Sequence, residues 1–370
     1  MPVANDCISK VPPARDHLAE LEGLETAIRY RIHMNTDWLA RYVECFRREQ
    51  TAFILAIRDP ESKALVGALP LEIQEVANEQ GLKIRQLIPL AGVQSDFGSL
   101  LCLPGCEREC ADRIAFWLAD SRQEWDSLRM NILPQSSAGW AELAQALVAA
   151  GFSPKVSRDR FFYKVNTDGR WADYEKRFLH RRMDTVRNLI NQLTRDSGGM
   201  KVERLERGIE DHLGELMGWY RQRRKDAAQK DAFAMYPEKL AFLKSVLGDF
   251  ESKGLARLSI LKAGERVAAY QLDWIDRGIW YYYMPAFNEE FARYSPSKIL
   301  LYETLRMAFD DPDVHEFNFM RGEESYKAQF ADETEAYVSI RVVNPASARA
   351  RASTLFSRLR ALRKRLIRKA

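Results

Sequence analysis

Three β-strands follow one another in the second half of the chain without an intervening helix, over residues 255–262, 266–276 and 279–285. The short turns Ala263-Gly264-Glu265 and Asp276-Arg277-Gly278 join them, and turns of this kind make consecutive strands antiparallel neighbours. Elsewhere in the chain, strands alternate with helices, which is typical of layered α/β proteins. The sequence therefore predicts an α/β fold that contains a three-stranded antiparallel unit.

The length of 370 residues exceeds one typical domain and suits two. Two hairpins also share a pattern, because Val66-Gly67-Ala68-Leu69-Pro70-Leu71 and Val267-Ala268-Ala269-Tyr270-Gln271-Leu272 each follow a hairpin turn. Together with the similar order of elements, this match indicates duplication of one α/β unit. We predict a first domain over 1–168, a second over 169–345 and a tail over 346–370.

Composition excludes several classes of protein. No apolar run approaches the ~20 residues of a membrane-spanning helix, and the first residues lack the apolar core of a signal peptide. The net charge of +4 is too small to indicate a nucleic-acid partner by itself. Five cysteines form an odd, sparse set that is typical of a reducing compartment. We therefore expect a cytoplasmic protein.

Three of the cysteines, Cys102, Cys106 and Cys110, are spaced by four residues, so a helix would stack them on one face. A metal site is one interpretation of this spacing, but no histidine lies nearby, and Pro104 and Gly105 interrupt a helix there. We expect ordinary buried thiols and no metal site.

A polar loop leads directly into a helix predicted over 297–309. The loop is Arg293-Tyr294-Ser295-Pro296-Ser297-Lys298. Ser295 is a typical N-cap residue, and Pro296 suits the first helical turn. Backbone amides at the start of the helix, together with Ser297 and the two basic side chains of the loop, favour an anionic phosphate. The alternative interpretation is an ordinary helix cap.

A second polar segment follows a strand predicted over 315–320. It reads Arg321-Gly322-Glu323-Glu324-Ser325-Tyr326-Lys327. Gly322 permits a backbone conformation that other residues avoid. Tyr326 and Lys327 place a phenol and an ammonium group just past the end of the strand, where sites of α/β proteins often form. The alternative is a solvated loop before a short helix.

These segments resemble the CelD-like acetyltransferases, a branch of the GNAT superfamily also called BioF-type acetyltransferase domains. The family pattern has a Y-S-P-G loop before a helix, and then a strand that ends in R-G-[DE]-x-x-Y-K. The segments that fit are Ser295 to Leu301, Glu316 to Lys327, the strand Tyr281 to Phe287 and the basic helix Tyr174 to Leu193. The resemblance covers roughly residues 170–343, and Ser297 stands where the family usually has glycine.

The resemblance implies two tandem GNAT-like domains with mixed, mostly antiparallel sheets flanked by helices, as in the related FemABX transferases. It also implies transfer of an acyl group from acetyl-CoA or another acyl-CoA to an amine, less often a hydroxyl. The family's link to exopolysaccharide pathways makes a polysaccharide or cell-envelope precursor the expected acceptor. Two alternatives stay open: an aminoacyl-tRNA-dependent transferase of the FemABX kind, and a non-catalytic GNAT-fold binding protein, which the serine at 297 favours.

Within this interpretation, Tyr326 is the candidate general acid, since a phenol can protonate a departing thiolate. Glu323 and Asp273 are both candidate bases, and the sequence does not separate them; Asp273 is equally well explained as an exposed strand residue. The candidate donor-binding residues are Arg293, Ser295, Ser297, Lys298, Arg321, Gly322 and Lys327. Two basic stretches, Lys176 to Arg182 and Arg221 to Lys225, are solvated helix faces by default and border the acceptor side if the resemblance holds.

The predicted tail, residues 346–370, holds nine basic residues and no acidic one. Leu355, Leu359, Leu362 and Leu366 form one apolar stripe at helical spacing. A basic amphipathic helix suits an anionic membrane surface, and the alternative is docking on the protein's own body. If the membrane hypothesis holds, the full chain pellets with anionic vesicles at low salt, and a chain ending at Val343 does not.

Overall fold

The computed structural model describes residues 7–77, 81–178, 184–226, 237–322 and 324–353. The chain forms two compact units, Met1–Arg160 with Ala336–Ala370, and Phe161–Glu335. We call them the first unit and the second unit. The predicted domain boundaries, after residues 168 and 345, differ from this division because the last strand of the chain belongs to the first unit.

Helices and strands alternate along the chain as follows. Up to residue 166 the elements are β1 (Ile8–Val11), α1 (Arg15–Ala19), α2 (Glu22–Glu25), α3 (Thr36–Phe46), β2 (Ala52–Arg58), β3 (Leu65–Ala77), β4 (Lys83–Pro89), β5 (Leu101–Cys102), α4 (Glu107–Asp120), β6 (Ser127–Pro134), α5 (Trp140–Ala149) and β7 (Lys155–Asn166). The remaining elements are α6 (Trp171–Phe178), α7 (Asp184–Ser197), β8 (Met200–Leu205), α8 (Glu210–Asp226), α9 (Pro237–Ser252), β9 (Ala256–Ala263), β10 (Arg266–Asp276), β11 (Ile279–Phe287), a 3-10 helix (Glu289–Tyr294), α10 (Pro296–Asp310), β12 (Glu316–Arg321), α11 (Lys327–Phe330) and β13 (Glu333–Val343).

The sheet of the first unit has the strand order β1-β2-β3-β4-β6-β13. Its first four strands are antiparallel, β6 is parallel to β4, and β13 is antiparallel to β6. The core lies between this sheet and helices α4 and α5, which contribute Ile114 and Leu147. Ile340 brings β13 into the same core, although this strand arrives from the far end of the chain.

The sheet of the second unit has the strand order β8-β9-β10-β11-β12-β7. Strands β8, β9, β10 and β11 pair antiparallel, each with the next one in this order. Strand β12 is parallel to β11, and β7 is antiparallel to β12. Helix α10 covers one face through Leu301 and Leu305, which pack with Trp280 and Phe317. The α/β class and the antiparallel meander predicted from the sequence are confirmed.

One order of elements occurs twice along the chain. Three antiparallel strands are followed by a helix, a strand parallel to the third, a further helix and a closing strand; these are β2-β3-β4-α4-β6-α5-β7 and β9-β10-β11-α10-β12-α11-β13. The closing strands are exchanged, since β7 pairs with β12 in the second unit and β13 pairs with β6 in the first. The repeated order agrees with duplication of one α/β unit.

Most predicted elements lie within a few residues of the observed ones, and the differences have local causes. The sequence predicts one long helix from Trp171 to Thr194; the structure has α6 and α7 there, with the segment between them outside the described residues. The stretch Thr36-Asp37-Trp38-Leu39 predicts the start of a helix with Thr36 as its cap, and this choice of cap is wrong. Asn35 is the cap, because its side chain accepts a hydrogen bond from the amide of Asp37 at 2.9 Å.

The start of the predicted tail is part of the first unit. Ser347 donates a hydrogen bond to Asp126 at 2.7 Å, Ala350 is buried, and Asn344 donates to the backbone carbonyl of Trp125 at 2.7 Å. Residues 354–370, which carry the leucine stripe, lie outside the described residues. A truncation that removes only the stripe should therefore end after Ser353. Within the described ranges, no helix is long and apolar enough to cross a membrane.

The exchanged strand β13 gives a test of this architecture. We expect Ile340→Ala to lower the free energy of unfolding by about 2–5 kcal/mol, because Ile340 is fully buried among β6, α4 and α5 residues. Val343→Ala on the same strand is the control, since Val343 is 43% exposed. Urea unfolding measures both variants, and equal small losses would contradict a core role for β13.

Candidate functional site

The second sheet opens between its two parallel strands. Pairing of β11 with β12 runs from Ile279 and Glu316 to Tyr281 and Asn318, and is not recorded further along the described residues. The side chain of Asn318 accepts the amide of Met320 at 2.8 Å, and Met320 takes a left-handed conformation (φ 57°) that turns β12 aside. Beyond Tyr281, β11 therefore presents an edge that β12 does not cover.

A cavity of about 240 Å³ lies at this opening. Five parts of the second unit line it: β11, the 3-10 helix, the first turns of α10, helix α8 and the segment after β12. The lining residues are Arg223, Tyr282, Phe287, Ala292, Ser295, Pro296, Ser297, Lys298, Leu301 and Tyr326. Two of them are cations and two are phenols, and the described residues that line the cavity include no carboxylate.

The start of α10 forms one wall, as predicted, but its amides are differently used. Ser295 is the N-cap residue of α10, as predicted, but it adopts a left-handed conformation (φ 50°) and its side chain makes no capping hydrogen bond. Its carbonyl instead accepts the amides of Lys298 and Ile299 at 2.9 and 3.2 Å. Because Pro296 has no amide hydrogen, the helix start offers fewer amides to a ligand than the sequence predicted.

Ser297 and Lys298 are the polar groups of this wall. The Ser297 hydroxyl oxygen is buried and has no hydrogen-bond partner among the described residues. A buried hydroxyl of this kind loses its hydrogen bonds to water, which a ligand atom can restore. Ser295, Ser297 and Lys298 are thus the predicted donor-binding residues that the structure brings to the cavity.

The other four predicted donor-binding residues do not line the cavity. The Arg293 guanidinium lies over the ring of Tyr294, 4.5 Å from its centroid, and pairs with Asp196 at 3.5 Å. Arg321 is exposed at the end of β12. Gly322 and Lys327 belong to the loop that follows.

Lys327 closes that loop instead of facing the cavity. Its ammonium group is nearly buried, donates to the carbonyl of Arg321 at 2.9 Å and pairs with Glu324 at 3.0 Å. Gly322 has φ 129°, and a Cβ there would lie 2.2 Å from a carboxylate oxygen of Glu324. The positive φ favours glycine at this position, and a larger residue would displace the Glu324 carboxylate.

Tyr326 lines the cavity at the start of α11. Burial raises the pKa of its phenol to about 12, and the hydroxyl of Tyr282 opposes this increase by donating a hydrogen bond to it. The two rings meet edge to face, with centroids 6.4 Å apart. At neutral pH, Tyr326 is protonated, so it can act as a proton donor to a ligand in the cavity.

The two candidate bases are placed differently. Asp273 is fully buried and does not line the cavity, so its carboxyl has no direct path to a ligand there. Its Oδ2 accepts a hydrogen bond from Gln271 at 2.7 Å, and burial raises its pKa to about 7. Glu323 lies outside the described residues.

Sequence reasoning placed Arg223 only in a basic stretch on the border of the acceptor side, and it did not assign Tyr282 or Phe287 to the site. The Arg223 guanidinium lies 5.6 Å from the Phe287 ring centroid and lowers the pKa of both Tyr282 and Tyr326. Tyr282 was one of three consecutive tyrosines. A β-bulge, in which Leu272 pairs with Met284 but Asp273 pairs with Tyr282, changes the alternation and hides which ring faces the cavity.

The three spaced cysteines do not share a helix face. Cys102 lies on β5, Cys106 is the N-cap of α4, and Cys110 lies within α4. Burial raises the pKa of Cys102 to about 12 and that of Cys110 further. Within the described part of the chain, no cluster of three or more histidine, cysteine, aspartate or glutamate side chains could hold a metal ion.

Comparison with known proteins agrees with this geometry. Residues 180–328 match the family model of an acetyltransferase (GNAT) domain, and this stretch contains most of the second unit, including the start of α10, β11 and Tyr326. No curated protein matches the chain in sequence.

Solved structures show the same fold at low identity. FemX is 11% identical, with a TM-score of 0.57 over 91% of this chain and 98% of its own. A conserved protein of unknown function from Bacteroides thetaiotaomicron is 12% identical, with a TM-score of 0.57 over 88% and 97%. The C-terminal domain (DUF2156) of a putative lysylphosphatidylglycerol synthetase from Agrobacterium fabrum is 11% identical, with a TM-score of 0.54 over 92% and 95%. With the repeated order of elements, these findings confirm the predicted fold class of tandem GNAT-like units.

Proposed function

We propose that the second unit transfers an acyl group from an acyl-CoA thioester to an amine, or less often a hydroxyl, of an acceptor. The observation that carries this proposal is the cavity at the open edge of β11, where the Tyr326 phenol and the start of α10 line one space. The match of residues 180–328 to a GNAT domain supports the same chemistry. On the motifs Ser295 to Leu301 and Glu316 to Lys327, we assign the unit to the CelD-like branch.

The donor is accommodated in two parts. An extended pantetheine chain resembles a peptide strand, so the uncovered edge of β11 offers it backbone hydrogen bonds as strand edges do for peptides. The phosphates then lie near Ser297 and Lys298, where the ammonium group and the helix start favour negative charge. Acetyl-CoA is the simplest donor, and the cavity volume limits longer acyl chains that remain inside it.

The reaction follows from this placement. The acceptor amine attacks the thioester carbonyl, and when the tetrahedral intermediate collapses the C–S bond breaks and the thiolate leaves. Tyr326 gives its phenolic proton to this sulfur, so that an O–H bond is exchanged for an S–H bond. The attacking nitrogen loses one proton to solvent as the amide forms, and solvent returns a proton to the Tyr326 phenolate. Tyr282 and Arg223 assist because both lower the pKa of Tyr326 towards that of a thiol.

The acceptor is proposed on the resemblance, and the surroundings are proposed on the composition and on the basic residues of the tail. We propose a polysaccharide or cell-envelope precursor as acceptor, in a cytoplasmic protein whose basic tail meets an anionic membrane. An aminoacyl-tRNA donor and a non-catalytic binding role are the competing functions. Thermal unfolding with acetyl-CoA, a longer acyl-CoA and tRNA separates these, since a ligand at 100 times its Kd stabilises the folded state by about 2.7 kcal/mol.

Ser297→Asp tests the donor site. The substitution sets a carboxylate where we place phosphate, so we expect acetyl-CoA affinity to fall at least ~10-fold in calorimetry, with the fold retained by circular dichroism. Ser252→Asp is the matched control, because Ser252 is exposed at the end of α9. If acetyl-CoA binds Ser297→Asp as tightly as the unmodified chain, the site assignment is incorrect.

Tyr326→Phe tests the acid. It keeps the ring and removes the hydroxyl, so turnover should fall roughly 10²–10⁴-fold while the donor Kd changes little. Tyr283→Phe on β11 is the control, since Tyr283 packs against Trp274 with ring centroids 4.8 Å apart and does not line the cavity. Normal turnover of Tyr326→Phe would show that the phenol has a structural role only.

A further inference from the structure

A buried polar cluster lies beneath the cavity, between the sheet of the second unit and α10. The Gln271 amide donates to the Asp273 carboxyl at 2.7 Å and to the Thr304 hydroxyl at 2.9 Å. All three side chains are fully buried. Burial of a carboxyl away from solvent costs free energy of folding, and Asp273 bears this cost close to the candidate site.

Tyr282 connects this cluster to the cavity. Asp273 and Tyr282 are opposite each other on β10 and β11, so their side chains share the face that α10 covers. Tyr282 also lines the cavity and donates its hydrogen bond to Tyr326. Because Tyr282 uses its own proton in this bond, Tyr326 keeps its proton free to point at a ligand.

We infer that Asp273 is a positioning residue that sets the acidity of Tyr326 through Tyr282, and that its neutral form is the one that supports protonation of the leaving thiolate. Only the second part, the protonation of the leaving thiolate, rests on the proposed acyl transfer. The first part, the effect of Asp273 on the acidity of Tyr326, can be measured without any substrate.

The direction of the effect follows from charge. A carboxylate at Asp273 raises the pKa of Tyr282, which makes Tyr282 a weaker hydrogen-bond donor to Tyr326. Tyr326 then loses the interaction that lowers its own pKa and becomes a poorer acid. Since burial places the pKa of Asp273 at about 7, the carboxyl is neutral below this pH and ionised above it. The phenol should therefore weaken as an acid when the pH rises through 7.

Other charged or titratable groups lie on the elements packed around this carboxyl. They are Arg204 on β8, Arg257 on β9, Tyr282 on β11, and Glu303 and Arg306 on α10. Arg204 lowers the pKa of Asp273. Arg257 pairs with Glu206 at 3.1 Å, and Glu303 pairs with Arg306 at 2.6 Å, so these charges are balanced locally. The effect of burial outweighs that of Arg204, and it also outweighs the hydrogen bond from Gln271, which lowers the pKa of Asp273.

The first experiment measures the phenol directly. Difluorotyrosine at position 326, which ionises at lower pH than tyrosine, is titrated by fluorine NMR in the otherwise unmodified chain and with Asp273→Asn. We expect Asp273→Asn to make the phenol about 3- to 10-fold more acidic, because the phenol ionises at a pH at which the Asp273 carboxyl is charged in the unmodified chain. In the presence of Tyr282→Phe the same substitution should have no effect, because the connection is removed.

Asp276→Asn is the matched control, since Asp276 is a buried carboxyl on the same strand that pairs with Ile279 instead of Tyr282. Equal phenol titrations in the unmodified chain and Asp273→Asn would overturn the inference. So would a shift that persists after Tyr282→Phe, because Asp273 would then act by another route.

The second experiment uses acetyl-CoA turnover with an amine acceptor across pH 5.5–9. The rate of the unmodified chain, divided by that of Asp273→Asn, should fall about 3- to 10-fold as the pH passes 7, with no change in KM for acetyl-CoA. A constant ratio would refute the catalytic part. If no thioester is turned over but the phenol titration depends on Asp273 as expected, the proposed function fails and the connection between the residues stands.

Discussion

The end of pairing between β11 and β12 is the constraint on which the site depends. Two parallel strands normally share hydrogen bonds along their whole length, and here they share them only as far as Tyr281 and Asn318. Asn318 makes the separation stable because its side chain accepts the amide of Met320, which would otherwise require a partner in the ladder. The cavity, the uncovered edge of β11 and the position of Tyr326 all follow from this one departure from regular pairing.

The two repeats share one order of elements but differ in the charge at the start of one helix. The helix after the third strand is α4 in the first repeat and α10 in the second. The first turn of α4 carries Glu107 and Glu109, whereas that of α10 has no acidic residue and contains Lys298. Carboxylates at a helix start already use its positive end and repel a phosphate. The charge of the first turn thus favours the second repeat as the one that binds an anionic donor.

Periodicity and turn residues predicted the elements well, because hairpin turns and apolar alternation act locally. The strand predicted over 266–276, for example, agrees with β10 to the residue. The site was harder to predict because its contacts depend on how loops close and how neighbouring strands align, which neither periodicity nor turn residues determine. Lys327 has the position of a ligand-binding lysine in the sequence, yet its ammonium group holds the carbonyl of Arg321. The bulge opposite Asp273 likewise decides which tyrosine faces the cavity, and no residue type marks a bulge of this kind.

The charge of the cavity bears on how an acceptor amine loses its proton. Of the two candidate bases, Asp273 does not line the cavity and Glu323 lies outside the described residues. Arg223 and Lys298 line the space, and no carboxylate does within the described lining. Positive charges favour the neutral form of a nearby amine over its ammonium form, so they lower the pKa of an acceptor amine that enters. Under the proposed function, this site would select an amine that has already lost its proton to solvent, and the same cations would stabilise the negative charge that develops on the thioester oxygen and sulfur. An acyl transfer in this cavity therefore depends less on a general base than on the acidity of Tyr326, which is the property that Tyr282, Arg223 and burial act upon.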